Sequence, residues 1–190
     1  GLEDVREIAL HLSKGKFTTD PLGHRGEGVF FASRSFDNFH IISRGMSYIR
    51  INLEKDWFVE TTKYTNLPGT GLIMKIALDS KREIQEVYAD YQHEDSEGMP
   101  KFDKTHIMVK LSKIGEERYV SRSQARRICL GLEKFKRVAL DFKNISTIGQ
   151  GFVDEIFRVF QLKYPKIEIT YTNANDDVQF MIERSLPEGQ

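Results

Sequence analysis

The chain has 190 residues, of which 39% are hydrophobic and 29% are charged, as is typical of a globular protein. Its 28 Lys and Arg residues balance its 28 Asp and Glu residues, which argues against a whole-chain attraction to nucleic acid or anionic membranes. The single cysteine, Cys129, excludes an internal disulfide and a multi-cysteine metal site. No apolar run approaches the roughly 20 residues that cross a bilayer, and charged residues near the start argue against a signal peptide. We therefore expect a cytoplasmic protein.

Hydrophobic spacing predicts an α+β arrangement for residues 1–79. Two helices are predicted over 2–13 and 29–36, and Gly15 is expected to end the first in a left-handed conformation. Alternating apolar residues then predict four strands of an antiparallel sheet. Those strands cover 39–43, 46–53, 57–62 and 72–79. Hairpin signals lie at Arg44-Gly45 and at Asn66-Leu67-Pro68-Gly69.

The rest of the chain changes in composition at residue 80. Residues 80–104 are rich in charge and predict a connecting helix over 81–91 followed by a linker. From residue 105 to 190, strands over 106–111, 137–142 and 166–171 alternate with helices. The first of those helices begins with the capping box Ser121–Gln124, and the last is capped by Asn173 or Asn175. This alternation favours an α/β domain with largely parallel pairing.

The most informative segment has the spacing G-x-x-G-x-G at Gly23, Gly26 and Gly28, directly before the second helix. Glycines let the backbone approach a ligand, and the helix N-terminus supplies free N–H groups and partial positive charge. An anion such as a triphosphate would fit, with Lys14, Lys16, His24 and Arg25 adding charge. The alternative is that the three glycines only form a tight turn.

The same segment resembles the ATP lid of the GHKL ATPases, the superfamily of MutL and the histidine kinases. The resemblance lies in Ser13-Lys14, in Gly23-His24-Arg25-Gly26-Glu27, and in Gly69-Thr70 before a strand. It implies a partial Bergerat fold over residues 1–79 that binds ATP and Mg²⁺. By resemblance, Gly23, Gly26, Gly28 and Lys14 would contact phosphates, and Thr70 would contact adenine.

Two features of that family are missing from this sequence. Its magnesium-binding Asn and its adenine-reading Asp lie before the lid, where this chain has only about a dozen residues and no D-x-G-x-G motif. We therefore expect no catalytic residue and no metal ligand here, no activity from this chain alone, and at most a weak ATPase in a longer parent protein. The start at Gly1 favours a chain cut from such a parent.

Residues 105–186 resemble the STAS fold, in particular the STAS-like domain of unknown function that is fused behind GHKL ATPases in prokaryotes. Three blocks carry this resemblance: 121–125, 148–155 and 173–175. STAS proteins of the anti-anti-sigma type carry a phosphorylatable Ser where this chain has Gly149-Gln150-Gly151, so the usual phosphorylation switch is not expected. This helix start would instead bind a partner or an anion, or its glycines only allow close helix–strand packing.

Together these interpretations predict a regulatory ATP-binding protein in signal transduction, whose STAS-like module contacts an unknown protein partner. Transcriptional regulation is plausible for the parent, and nucleic acid would be bound only through a domain upstream. The alternative is a non-enzymatic interaction module that binds no nucleotide. Arg122, Arg126 and Arg127 form a small basic surface, which is either a solvated helix face or a nucleic-acid contact.

Overall fold

The computed structural model describes residues 5–20, 22–61, 68–112 and 119–186. The chain divides into two compact units, Gly1–Phe102 and Asp103–Gln190. None of the described helices is long and apolar enough to cross a membrane.

The first unit combines helices with an antiparallel sheet, as predicted. Its elements are α1 (Val5–Lys14), α2 (Gly28–Ser35), β1 (Asn38–Ser43), β2 (Met46–Ile51), β3 (Asp56–Thr61), β4 (Thr70–Lys75), α3 (Ile84–Tyr91), β5 (Gln92–Glu94) and β6 (Pro100–Phe102). The main sheet has the order β3-β2-β1-β4 with every pair antiparallel, and β5 and β6 form a separate hairpin. Gly15 ends α1 with a φ of +83°, which confirms the predicted left-handed residue.

One prediction about this sheet is wrong. The sequence 66–69 was expected to form a hairpin between the third and fourth strands, but β3 and β4 lie at opposite edges of the sheet. Residues 66 and 67 lie outside the described residues. Turn-forming residues mark where a strand ends, but they do not determine which strand the next one pairs with. β4 instead pairs with β1, with Leu72 opposite Ile41, and all six of its residues are exposed.

Other predicted elements differ at their ends. β4 begins two residues earlier and ends at Lys75, four residues before the predicted end. The predicted linker after α3 contains the hairpin β5–β6, whose Phe102 is buried. Residues 2–4 of the predicted first helix and residue 62 of the predicted third strand lie outside the described part of the chain.

Two buried arginines form an unexpected part of the core of the first unit. Arg34 and Arg50 are 1% and 8% exposed, and the Arg50 guanidinium lies 4.0 Å from the Trp57 ring centroid. Among the described residues, neither arginine has a carboxylate within 4 Å. Burial and the nearby charge of Arg34 lower the pKa of Arg50 to about 9. Burial raises the pKa of the Tyr91 hydroxyl, but the charges and hydrogen bonds of the two arginines outweigh it and leave that pKa below its usual value.

The second unit is an α/β layer with a parallel sheet, as predicted. Its elements are β7 (Lys104–Met108), a 3₁₀ turn (Val109–Ser112), α4 (Arg122–Cys129), a 3₁₀ turn (Leu132–Lys134), β8 (Arg137–Asp141), α5 (Gln150–Asp154), a π-helical segment (Glu155–Phe160), α6 (Gln161–Lys163), β9 (Glu168–Thr172) and α7 (Asp176–Glu183). The sheet order is β7-β8-β9, and both pairs are parallel. The predicted strand 106–111 is shorter than expected, because residues 109–112 turn into a 3₁₀ helix.

The helices of the second unit follow their predicted signals. Ser121 and Gln124 form the complete capping box of α4, and Asn175 rather than Asn173 caps α7 by accepting from the Val178 N–H. Cys129 is buried together with Ala125 and Ile128 on the apolar face of α4. The apolar residues of the helix after Gly149 are also buried: Phe152, Ile156, Phe157 and Phe160.

Candidate functional site

The glycine loop is closed at its base by a backbone hydrogen bond. The Lys16 N–H donates to the Gly26 carbonyl at 3.0 Å, so that the intervening residues form a loop between α1 and α2. Gly26 has a φ of +69°, and a Cβ atom there would lie 2.5 Å from the Phe17 carbonyl oxygen. Both the conformation and the space at this position therefore require glycine.

The turn inside the loop already uses the Gly23 N–H, which is one of the predicted phosphate-binding groups. The Asp20 carboxylate accepts from the Gly23 N–H at 3.1 Å, and the Asp20 carbonyl accepts from the His24 N–H at 2.9 Å. These bonds form a local Asx-type turn, in which an acidic side chain satisfies backbone donors that a phosphate would otherwise contact. The Gly23 N–H could reach an anion only if this turn opened.

The start of α2 is open to a ligand. Its N-cap residue, Glu27, makes no side-chain cap bond, and a Cβ atom built on Gly28 would have no neighbour within 4 Å. Uncapped N–H groups at a helix start attract anions because they are unsatisfied donors at the positive end of the helix dipole.

A pocket of about 360 Å³ lies at this helix start. Four of the predicted residues line it together, namely His24, Arg25, Gly26 and Gly28. Its other lining residues were not predicted: Leu12, Phe17, Thr18, Glu27, Val29 and Phe30. The volume lies in the range of small-ligand sites, and the mixture of apolar walls and a few polar groups is typical of them.

The other predicted nucleotide-binding residues do not line this pocket. Lys14, the last residue of α1, is only 2% exposed. Thr70, the first residue of β4, is exposed, and its hydroxyl lies 3.1 Å from that of Ser43 on β1. The structure thus brings four of the seven predicted residues together and leaves Lys14, Gly23 and Thr70 outside the lining.

The described residues do not supply a metal site. No group of three or more His, Cys, Asp or Glu side chains in the described ranges is arranged to hold a metal ion. The magnesium that the GHKL resemblance implies therefore does not fit the described residues of this chain by themselves.

In the second unit, Gly149 and Gly151 pack against the segment before α4. The Gly149 N–H donates to the Tyr119 carbonyl at 2.7 Å, and a Cβ atom on Gly149 would lie 2.8 Å from the Val120 Cα. A Cβ atom on Gly151 would lie 3.3 Å from the Val120 carbonyl oxygen, whereas Gln150 is exposed. This geometry favours the close-packing interpretation of the two glycines and leaves partner binding there as a prediction.

Polar side chains also meet at the carboxyl edge of the parallel sheet. Asp141, at the end of β8, accepts from the Lys143 N–H at 2.8 Å and from the Asn173 amide at 2.9 Å. Its other carboxylate oxygen lies 3.3 Å from the His106 Nε2 atom. Burial raises the Asp141 pKa, but these hydrogen bonds outweigh burial, and the pKa lies below its usual value. Through the Lys143 N–H, the Asp141 carboxylate caps the turn that follows β8.

Comparison with known families identifies part of this second unit. Residues 124–179 match the STAS-like domain of unknown function (DUF4325). No curated protein matches the chain, and no solved structure does so either. The comparisons give no support to the GHKL resemblance of the first unit.

The match covers most of the second unit, from within α4 to within α7, and includes Gly149–Gly151 and Asp141. The predicted basic surface of the second unit is largely neutralised. The Arg122 guanidinium lies 2.8 Å from the Asp154 carboxylate, and Arg126 lies 2.8 Å from Glu155. Acidic partners this close reduce the positive potential that a nucleic-acid contact would need.

Proposed function

We propose that this protein is a regulatory nucleotide-binding protein, in which the glycine loop binds the phosphates of ATP and the STAS-like domain binds a protein partner. The observation that supports this is the pocket at the uncapped start of α2, where Gly26, Gly28, His24 and Arg25 come together. Glycines provide backbone access, while His24 and Arg25 provide donors for phosphate oxygens.

The charges around the pocket fit a phosphate better than a cation. Arg25 contributes a permanent positive charge and the helix start contributes a partial one. Among the residues that line the pocket, Glu27 contributes the one negative charge. Charge-assisted hydrogen bonds from a guanidinium to phosphate are the stronger kind, so Arg25 is the side chain on which we expect affinity to depend most.

A complete ATP site requires more than the pocket. Gly23 would have to exchange its hydrogen bond to Asp20 for one to phosphate, and Lys14 would have to leave its buried position. Thr70 lies on β4, which has no strand paired to its outer edge among the described residues and whose residues are exposed. We propose that further polypeptide, carrying the adenine-reading and magnesium-binding residues of the GHKL resemblance, adds to this edge.

The proposal is tested by titrating a non-hydrolysable ATP analogue, with and without Mg²⁺, against this chain and against a version extended before residue 1. Arg25→Gln should weaken binding about tenfold or more, since hydrogen bonds to charged groups contribute about 1.5–3 kcal/mol. The matched control is Arg44→Gln in the β1–β2 turn, which removes the same charge outside the pocket and should leave affinity unchanged.

Absence of binding to both versions, or equal losses in the two variants, would refute nucleotide binding at the loop. Tight binding by the 190-residue chain alone would instead show that no additional polypeptide is needed.

The second candidate function is a non-enzymatic interaction module without nucleotide binding. It is favoured by the satisfied Gly23 N–H, because the loop is then a self-contained turn, and by the family match, which covers only the STAS-like domain. The second function is the correct one if neither version binds nucleotide and the Gly26→Ala variant still binds the protein partner.

A further inference from the structure

Phe102, at the end of β6, packs against the helix that follows the glycine loop. It is 4% exposed, and its ring centroid lies 4.6 Å from that of Phe30 and 5.0 Å from that of Phe31. Both partners lie in the first turn of α2, and Phe30 also lines the pocket at the helix start. The last residue of the first unit is thus packed directly behind the candidate binding site.

Phe102 also contacts the residues that precede the loop. A Cβ atom on Gly15 would lie 2.7 Å from the Phe102 ring, so only glycine fits there without displacing it. The Lys16 ammonium lies 5.3 Å from the same ring centroid, within range of a cation–π interaction. Phe102 therefore contacts the residues that precede the loop as well as the helix that follows it.

The next residue, Asp103, is held just as firmly within the second unit. It is 3% exposed, and its carbonyl accepts from the Lys136 N–H at 2.8 Å and the Arg137 N–H at 3.1 Å, at the start of β8. Its carboxylate lies 3.6 Å from the Lys136 ammonium. Two consecutive buried residues are therefore anchored in different units, and no spare residue separates the two anchors.

We propose that Phe102 couples the conformation of the glycine loop to the STAS-like domain. When the loop opens, the start of α2 and Gly15 shift, and Phe102 must move because the packing around it leaves no room. Any movement of Phe102 acts on Asp103 through a single peptide bond. It therefore also acts on the hydrogen bonds that Asp103 accepts at the start of β8. The identity of the ligand that opens the loop rests on the proposed function, but the coupling itself does not require a nucleotide.

The coupling is tested by opening the loop with Gly26→Ala and measuring hydrogen exchange of the Lys136 and Arg137 amides. The new methyl group would collide with the Phe17 backbone, and we expect these two amides to exchange about 2- to 30-fold faster, as for coupling of typical strength. The matched control is Gly45→Ala, which places the same strain at a φ of +77° in the β1–β2 turn and should leave both amides unchanged.

A second variant tests the route. Phe102→Leu removes the ring but keeps an apolar side chain, and in this background Gly26→Ala should no longer alter the two amides. Trp57 fluorescence shows whether Gly26→Ala unfolds the first unit. If it does, Lys16→Met is used instead, and we expect a smaller increase in the exchange rates of the same two amides.

The proposal is wrong if loop variants leave the two amides unchanged, if Gly45→Ala changes them equally, or if the effect persists in Phe102→Leu. Its failure is distinguishable from that of the proposed function. A chain that binds no ATP analogue but still shows the Phe102-dependent effect retains the coupling, whereas a chain that binds ATP without this effect lacks it.

Discussion

Replacing Arg50 with Met should leave the first unit as stable as before or make it more stable. The lowering of the Arg50 pKa to about 9 corresponds to roughly 5 kcal/mol of unfavourable environment for the charged form. Because a group with this pKa is still protonated at neutral pH, the folded unit carries this cost. Against it stand the hydrogen bond to Asn52, worth about 1.5–3 kcal/mol, and the contact with Trp57, worth about 2 kcal/mol.

The balance is a gain of about 0–1.5 kcal/mol for Arg50→Met, at the low end of the range seen when buried charged groups are replaced by apolar ones. Arg50→Lys is the matched control. It keeps the buried charge but loses the planar stacking on Trp57, so we expect it to destabilise the unit.

The assay is denaturant unfolding followed by the fluorescence of Trp57, which is the only tryptophan in the chain and lies in the first unit. The signal therefore reports this unit even where the two units unfold separately. A loss of more than 2 kcal/mol in Arg50→Met, with Arg50→Lys unaffected, would refute the reasoning, because the buried charge would then be a net source of stability.

Three further predictions concern the STAS-like domain. Gly149→Ala should destabilise it by about 1–3 kcal/mol, because the new methyl group overlaps the Val120 backbone; thermal unfolding of the variant against wild type measures this. The lowered Asp141 pKa means that its interactions with His106 and the turn stabilise the fold at neutral pH. That contribution is lost as the pH falls through the folded-state pKa, which lies below the usual value of an aspartate. Asp141→Asn should reduce the dependence of the free energy of unfolding on pH. If denaturant unfolding between pH 3 and 7 shows the same pH dependence in the variant as in the wild type, the assignment is contradicted. Ser121→Ala should cost about 1 kcal/mol through loss of the α4 cap, as far-ultraviolet circular dichroism during melting would show.

Local signals predicted the elements of the second unit well. The capping box at Ser121 and the alternation of strands and helices follow from residues close together in the sequence. The π-helical segment Glu155–Phe160 was not predictable, because its apolar residues recur at a spacing that an ordinary α-helix also satisfies.

Sequence reasoning was less successful where distant residues decide the outcome. The strand order that places β4 beside β1 depends on pairing across 30 residues, and no local pattern encodes it. The buried Arg50 looked like an ordinary polar position of a strand, since only the fold shows that it packs on Trp57. Four residues of the candidate site were found together because they are adjacent in sequence, whereas Thr70 depends on tertiary structure.

The exposed strand β4 has a practical consequence for handling the protein. Its residues Thr70–Met74 carry no charge, and Lys75 is the first residue that would resist stacking of identical molecules. Unsatisfied backbone donors and acceptors beside apolar side chains favour self-association as the concentration rises. Samples for spectroscopy or crystallisation are therefore best kept dilute.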